Sequence, residues 1–252
     1  MTPDLATARR FLTAQGPPGA LLVGVTGAHY YGFPSPDSDL DLKGVHVAST
    51  REVVSLRPPP DALDHLGLFE GVEIDFTSHE LATALRLLLK GNGNILERIV
   101  SPFQVLDSEP AAELQALTRA AVSRKFFHHY RGFFGRSCRD WRAARPRTVK
   151  GLLYAYRSAL TGIHLLRTGE CAGDVSRLAP IYGLEQVPGL VARKAAGREH
   201  ATLATDVDFD ADLERLDLML QEAHSASPLP DEAVNAAALD DFLFRMRKEH
   251  LA

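Results

Sequence analysis

One stretch, residues 27–45 (GAHYYGFPSPDSDLDLKGV), constrains the fold of this 252-residue chain more than any other. It follows the apolar run ALLVGVTG at 20–27, which turn residues bound and which is therefore typical of a buried strand. The stretch begins at a glycine, crosses a loop rich in Pro, Ser and Asp, and ends in an alternating segment at 40–48. This order predicts two strands of one sheet, with the carboxylates of Asp39 and Asp41 at one end of the second strand.

A third strand and one helix complete the predicted N-terminal part. Residues 71–78 alternate so that Asp75 projects away from the apolar side chains, and residues 4–15 have helical spacing. Residues 49–70 are predicted to be a connection, in which Pro58-Pro59-Pro60 marks an exposed, extended piece. Ser78 is the predicted cap of the helix that follows it.

Helical periodicity dominates the chain after Pro102. It covers residues 109–137, 148–168, 209–224 and 236–248, with Gly and Pro between these segments. The prediction is an α+β chain, with an N-terminal mixed sheet and its helices at 1–106 and an all-helical domain at 107–252.

Composition and charge narrow the class of protein. Hydrophobic residues make up 45% and charged residues 24%, and no apolar run approaches the ~20 residues that span a bilayer, so no membrane partner is expected. The first residues do not resemble a signal peptide, and cytoplasmic location is the expectation. Residues 119–150 contain ten basic residues and one acid, which suits phosphates or nucleic acid, although a solvated helix face has the same composition. Aromatic residues recur through 126–141 at helical spacing, which indicates core more often than a surface for base stacking.

The DSDLD run predicts a metal site, once two other loop types are excluded. An EF-hand loop counted from Asp37 would need Gly and Glu where Leu42 and Ala48 stand, and the chain has no Gly-Lys-Ser/Thr phosphate loop. Asp39 and Asp41 lie two residues apart in a strand and therefore share a face. Two such carboxylates can bridge two Mg²⁺ ions ~3.5–4 Å apart, and Asp75 could complete the set and accept a proton. A solvated strand edge explains the same spacing.

Longer blocks of sequence resemble a known family. The order of strand, glycine turn, D-x-D strand and later Asp strand resembles the polymerase-beta-type nucleotidyltransferase superfamily. The string with Tyr31-Gly32, Pro-Asp-Ser-Asp and Lys43-Gly44-Val45 is similar to the RNA repair pathway DNA polymerase beta family. A second block consists of Asp75, Glu80-Leu81, LRLLLK and GNGNILE, and a weaker third consists of Lys150, Arg157 and LLRTG at 165–169. The resemblance covers about residues 20–170.

The resemblance implies a palm-like catalytic domain and specific roles for its residues. Asp39, Asp41 and Asp75 would be catalytic and would hold Mg²⁺ (or Mn²⁺) as two ions, with an NTP, ATP by expectation, as substrate. The nucleotide-binding residues it implies are Gly27, Ala28, His29, Lys43, Asn94, Lys150 and Arg157, of which Gly27 and the turn after it would hold the β- and γ-phosphates. A structural turn role explains His29 equally well, and helix capping explains Asn94 equally well.

One residue departs from the pattern of the superfamily. The turn is usually Gly-Ser or Gly-Gly, and here it is Gly27-Ala28. Loss of the hydroxyl removes a hydrogen bond worth about 1.5–3 kcal/mol to a charged acceptor, but the backbone N–H groups survive.

The function implied is transfer of NMP from an NTP to a hydroxyl, with release of pyrophosphate. A nucleic-acid end, RNA above all, is the expected acceptor because of the basic segment. A protein or small-molecule acceptor is the alternative within this chemistry. A non-catalytic nucleotide- or RNA-binding module is the alternative outside it, and Ala28 is the feature that favours it.

Overall fold

The computed structural model of the protein describes residues 2–106, 108–197 and 209–251. In chain order its elements are α1 (Leu5–Gln15), β1 (Ala20–Val25), α2 (Gly27–Tyr30), β2 (Leu40–His46), α3 (Thr50–Val53), β3 (Ala62–Phe69), β4 (Val72–Glu80), α4 (Leu81–Leu89), α5 (Gly93–Val100), β5 (Gln104–Leu106), α6 (Glu109–Ala120), α7 (Phe126–Ala143), α8 (Val149–Thr168), α9 (Val175–Ile181), α10 (Val187–Ala196), α11 (Asp210–Ser225) and α12 (Ala236–Glu249).

The chain divides into two compact units. The sheet unit comprises Met1–Gly27, Asp39–Ala121 and Glu232–Ala252, and the helical unit comprises Ala28–Ser38 and Val122–Asp231. The α+β fold with an N-terminal mixed sheet and later helices is confirmed. The units do not follow the predicted boundary after residue 106, because α6 and α12 belong to the sheet unit and residues 28–38 to the helical one. That 1–106 and 107–252 are separate domains stays a prediction.

The five strands form one mixed sheet in the order β3-β4-β2-β1-β5. β2 and β4 are parallel, with Leu40 opposite Ile74 and Leu42 opposite Phe76, and the other neighbouring pairs are antiparallel. These four side chains are buried in one apolar cluster together with Phe11 of α1. Because side chains alternate along a strand, the residues between them project from the opposite face of the sheet.

Two local predictions in this unit are wrong. Residues 49–70 are not only a connection, since β3 pairs with β4 along its whole length and forms an edge of the sheet. Leu66 and Leu68 of β3 are 73% and 76% exposed, so the strand lacks the usual apolar-inward alternation that would have revealed it. Ser78 is not a helix cap, because β4 continues to Glu80, whose carboxylate accepts the Ala82 N–H at 2.8 Å.

The helical unit is built around α8, which is buried along most of its length. Five of the six Phe, Tyr and Trp side chains of α7 are buried, and three of them, Phe127, Phe134 and Trp141, belong to the core of this unit, which confirms the core interpretation. Phe133 is the exception in α7, at 41% exposure. No helix in the described ranges combines the length and the apolar content that crossing a membrane requires.

Arg247 of α12 makes a buried ion pair that should contribute strongly to the stability of the sheet unit. Its guanidinium donates to Glu80 at 2.6 Å and to the Ala48 carbonyl at 3.0 Å, and the two side chains are 13% and 7% exposed. Arg247→Met would leave a buried carboxylate without its counter-charge, and we expect the free energy of unfolding to fall by about 3 kcal/mol in guanidinium denaturation.

The matched control lies two residues earlier on the same helix. Arg245 pairs with Glu113 at 2.5 Å, but both side chains are about half exposed. Arg245→Met should therefore change the free energy of unfolding by no more than about 1 kcal/mol. If both substitutions lowered the free energy of unfolding by the same amount, burial of the Arg247–Glu80 pair would not explain the effect of Arg247→Met.

Candidate active site around Asp41 and Asp75

The parallel pairing of β2 and β4 brings two of the predicted carboxylates together. Asp41 is opposite Asp75 in the register, on the face away from the apolar cluster. Asp75 retains 40% of its side-chain exposure. Asp39 directly precedes β2 and is partly buried. This face of the sheet thus presents Asp41 and Asp75 on adjacent strands, and their role as catalytic carboxylates stays a prediction.

The glycine turn after β1 lies directly against Asp41. The backbone N–H of Thr26 donates to the Asp41 carbonyl at 2.9 Å, so the end of β1 is fixed beside β2. Gly27 has φ of +60°, and a Cβ atom added to it would lie 1.6 Å from Asp41 Oδ2. Only glycine allows both this backbone conformation and this position of the carboxylate. The turn expected to hold phosphate and one predicted metal ligand are therefore in direct contact.

Lys43 occupies the same face and binds Asp75. Its ammonium lies 2.7 Å from Asp75 Oδ1, 3.2 Å from the Asp75 carbonyl oxygen and 3.5 Å from Thr77 Oγ1. The side chain is only 18% exposed. Lys43 thus lies beside one of the predicted metal ligands, and its partner here is a carboxylate. Its predicted contact with nucleotide stays a prediction.

The donor set suits a divalent cation, although no metal-binding cluster is preformed in the described part of the chain. Among the residues that the structure describes, no group of three or more His, Cys, Asp or Glu side chains is arranged to hold a metal ion. Carboxylate oxygens are nevertheless the ligands that Mg²⁺ prefers. The ammonium of Lys43 already lies at Asp75 as a stand-in cation, and Gly27 leaves room for the Asp41 carboxylate. The residues present therefore fit a magnesium site, and the three-carboxylate arrangement stays a prediction.

The other predicted nucleotide-binding residues have varied surroundings. Ala28 is buried in the apolar cluster of the helical unit, and His29 follows it in α2, partly buried. Asn94 is exposed at the start of α5, where its backbone N–H is capped by Asn92 Oδ1 at 3.0 Å. The cap of α5 is therefore Asn92 and not Asn94, and the role of the Asn94 side chain stays a prediction.

Lys150 and Arg157 lie on α8 in different environments. Lys150 is partly buried and lines a cavity of about 340 Å³ with Trp141 and Tyr154. Arg157 is 4% exposed, and its guanidinium lies 3.7 Å from the centre of the Tyr31 ring. This burial gives Arg157 a role in packing residues 28–38 into the helical unit. Contact of either residue with triphosphate stays a prediction.

Arg98 is a buried residue beside this face that the sequence analysis missed. It lies on α5, is 5% exposed, and donates from Nη1 to the Gly44 carbonyl at 3.2 Å and to His79 Nδ1 at 2.7 Å. A guanidinium only donates, so His79 carries its proton on Nε2. Burial, with Arg98 next in effect, lowers the pKa of His79 to about 4, which keeps the ring neutral at pH 7. The sequence does contain a sign of this burial, since Arg98 stands between the apolar residues Ile95 and Ile99 on α5.

Sequence comparisons identify relatives of the chain. A model of the RNA repair pathway DNA polymerase beta family matches residues 10–245. An uncharacterized protein of Methanocaldococcus jannaschii is 28% identical over 159 residues, which cover 62% of this chain and 64% of that protein. The uncharacterized protein YcgL of Bacillus subtilis is 27% identical over 139 residues, which cover 54% and 52% respectively. The chain thus spans less than two thirds of the length of either relative.

A solved structure aligns with nearly the whole chain, but at low similarity. The crystal structure of a nucleotidyltransferase-like protein from Exiguobacterium sibiricum aligns with 98% of this chain and 80% of its own, at 10% identity. The TM-score of 0.36 is too low to establish a shared fold.

Proposed function

Because the chain belongs to the RNA repair pathway DNA polymerase beta family, we propose that it is a metal-dependent nucleotidyltransferase. It transfers NMP from an NTP to a hydroxyl group and releases pyrophosphate. The observation that carries the proposal is an arrangement of three parts: Asp41 and Asp75 are opposite each other on adjacent parallel strands, and the Gly27 turn lies against Asp41.

Each part of this face has a chemical role in the proposed transfer. Asp39, Asp41 and Asp75 would hold two Mg²⁺ or Mn²⁺ ions, which would neutralise phosphate charge and lower the pKa of the attacking hydroxyl. The turn at Gly27 offers backbone N–H groups to the β- and γ-phosphates. Asp75 accepts the proton of the acceptor hydroxyl while the hydroxyl oxygen bonds to the α-phosphorus of the NTP. The bond from that phosphorus to pyrophosphate breaks in line, so no covalent enzyme intermediate is needed.

The surface of α7 supports a nucleic-acid acceptor. Among its exposed residues are Arg131, Arg136, Arg139 and Arg142, although Arg131 and Arg142 pair with acids of α11 at 3.8 and 2.6 Å. The remaining positive charge suits a phosphate backbone, and the family description names RNA repair. An RNA end is therefore the proposed acceptor, with ATP the proposed donor.

Ala28 does not weaken the proposal. Its methyl group is 6% exposed and packs in the apolar cluster of the helical unit. The residue after Gly27 thus contributes packing, and the backbone N–H groups of the turn do not depend on its side chain.

The proposal is tested by incubating the protein with each labelled NTP, Mg²⁺ or Mn²⁺, and separate RNA, DNA, protein and small-molecule acceptors. We expect pyrophosphate release that requires metal and acceptor, with label transferred to RNA, and none after chelation with EDTA. Transfer of the label to a protein or a small molecule would show that RNA is not the acceptor, while the proposed nucleotidyl transfer would stand. Tight calorimetric NTP binding with no turnover for any acceptor would instead indicate a non-catalytic nucleotide-binding module.

A further inference from the structure

Lys43 is placed so that its charge competes for a carboxylate of the proposed metal site. It lies on β2 two residues beyond Asp41 and opposite Thr77 of β4. Its three ammonium hydrogens have three acceptors within reach: Asp75 Oδ1 at 2.7 Å, the Asp75 carbonyl at 3.2 Å and Thr77 Oγ1 at 3.5 Å. With 18% of its side chain exposed, Lys43 is held along the sheet rather than extended into water.

The register explains why a cation is needed there in the absence of metal. Asp41 and Asp75 are direct neighbours on parallel strands, and like charges in such positions repel each other. Lys43 supplies one positive charge at Asp75 and reduces this repulsion. A divalent ion bound to the same carboxylate would lie close to that ammonium, and the two positive charges would repel each other.

We propose that Lys43 is a built-in counter-cation of the site, which holds Asp75 in the metal-free protein and weakens metal binding until it is displaced. This inference rests on the proposed function, in which Asp75 is a metal ligand. Metal binding and the Lys43–Asp75 pair are then coupled, and each disfavours the other by the same factor. The lysine therefore sets the metal concentration at which the site fills, and it is a positioning residue for Asp75.

The experiment measures Mn²⁺ affinity without nucleotide, by titration calorimetry of the full chain. Lys43→Met removes both the charge and the hydrogen bonds, and Lys43→Gln removes the charge but keeps an N–H donor for Asp75. Both should bind Mn²⁺ about tenfold more tightly than the wild type, because repulsion of a divalent ion is lost. Lys43→Arg keeps the charge and should stay within about threefold of the wild type. Lys90→Met removes an equal charge from an exposed position at the end of α4 and should have no effect.

Thermal unfolding gives a second readout that does not depend on activity. Without metal, Lys43→Met should melt at a lower temperature than the wild type, and added Mn²⁺ should raise its melting temperature by the larger increment. If Lys43→Met does not fold, the Mn²⁺ affinity and the melting temperature of Lys43→Gln provide the test. Unchanged or weaker Mn²⁺ affinity in the neutral variants, with normal binding by the wild type, would overturn the inference and leave the proposed function standing. Absence of Mn²⁺ binding from the wild type and every variant would overturn both.

Discussion

Asp41→Asn should reduce metal-dependent pyrophosphate release by at least about a thousandfold, while the protein remains folded. The amide is nearly isosteric with the carboxylate, but it carries no charge and offers a single oxygen to a cation. Asp41 lies opposite Asp75 and in contact with Gly27, so it is the proposed ligand that joins the metal site to the phosphate turn. Loss of this ligand removes charge stabilisation that develops in the transition state, which is the largest contribution expected of such a site.

Asp64→Asn is the matched control for this prediction. Asp64 lies on β3 opposite Thr77, is exposed, and is on the same face of the sheet as Asp41. The substitution changes the charge of that face by the same amount without touching a proposed ligand, and turnover should stay within about twofold of the wild type. Steady-state rates at saturating Mg²⁺ and melting temperatures of both variants are the measurements. A folded Asp41→Asn protein with wild-type turnover would show that Asp41 is not a metal ligand.

Local sequence patterns predicted the strands that carry the site. β1, β2 and β4 have period-2 or continuous apolar patterns, and the alternation alone places Asp41 and Asp75 away from the core. The adjacency of these two residues did not follow from local pattern, because it depends on the parallel pairing of strands more than thirty residues apart. The family resemblance, in contrast, predicted that Asp41 and Asp75 belong to one site.

Pairings between distant residues account for what the sequence did not predict. β3 presents two leucines to solvent at a sheet edge, so its pattern resembles that of a loop. The contacts of Arg98, Lys43 and Arg157 were likewise not predicted, because their partners are His79, Asp75 and Tyr31 on other elements of the chain. Burial of a charged residue depends on a partner brought close by the tertiary fold, and composition carries no record of it.

Gly27→Ala should reduce turnover by about a hundredfold or more through displacement of Asp41. The added methyl carbon would lie 1.6 Å from Asp41 Oδ2, far inside van der Waals contact, so the carboxylate or the turn must move. Displacement of a catalytic group by about 1 Å can cost a hundredfold in rate. The residue also has φ of +60°, which costs alanine about 1–2 kcal/mol, and the free energy of unfolding should fall accordingly.

Gly71→Ala separates the effect on the carboxylate from the backbone cost. Gly71 lies in the turn between β3 and β4 with φ of +82°, and an added Cβ would meet nothing within 4 Å. Its substitution should lower stability by a similar amount and leave turnover nearly unchanged. Rates and melting temperatures of the two variants, measured side by side, test the contact between the phosphate turn and the metal ligand. If Gly27→Ala loses no more activity than Gly71→Ala, the position of the Asp41 carboxylate against the turn is not required for catalysis, because only the backbone cost would remain to explain the loss.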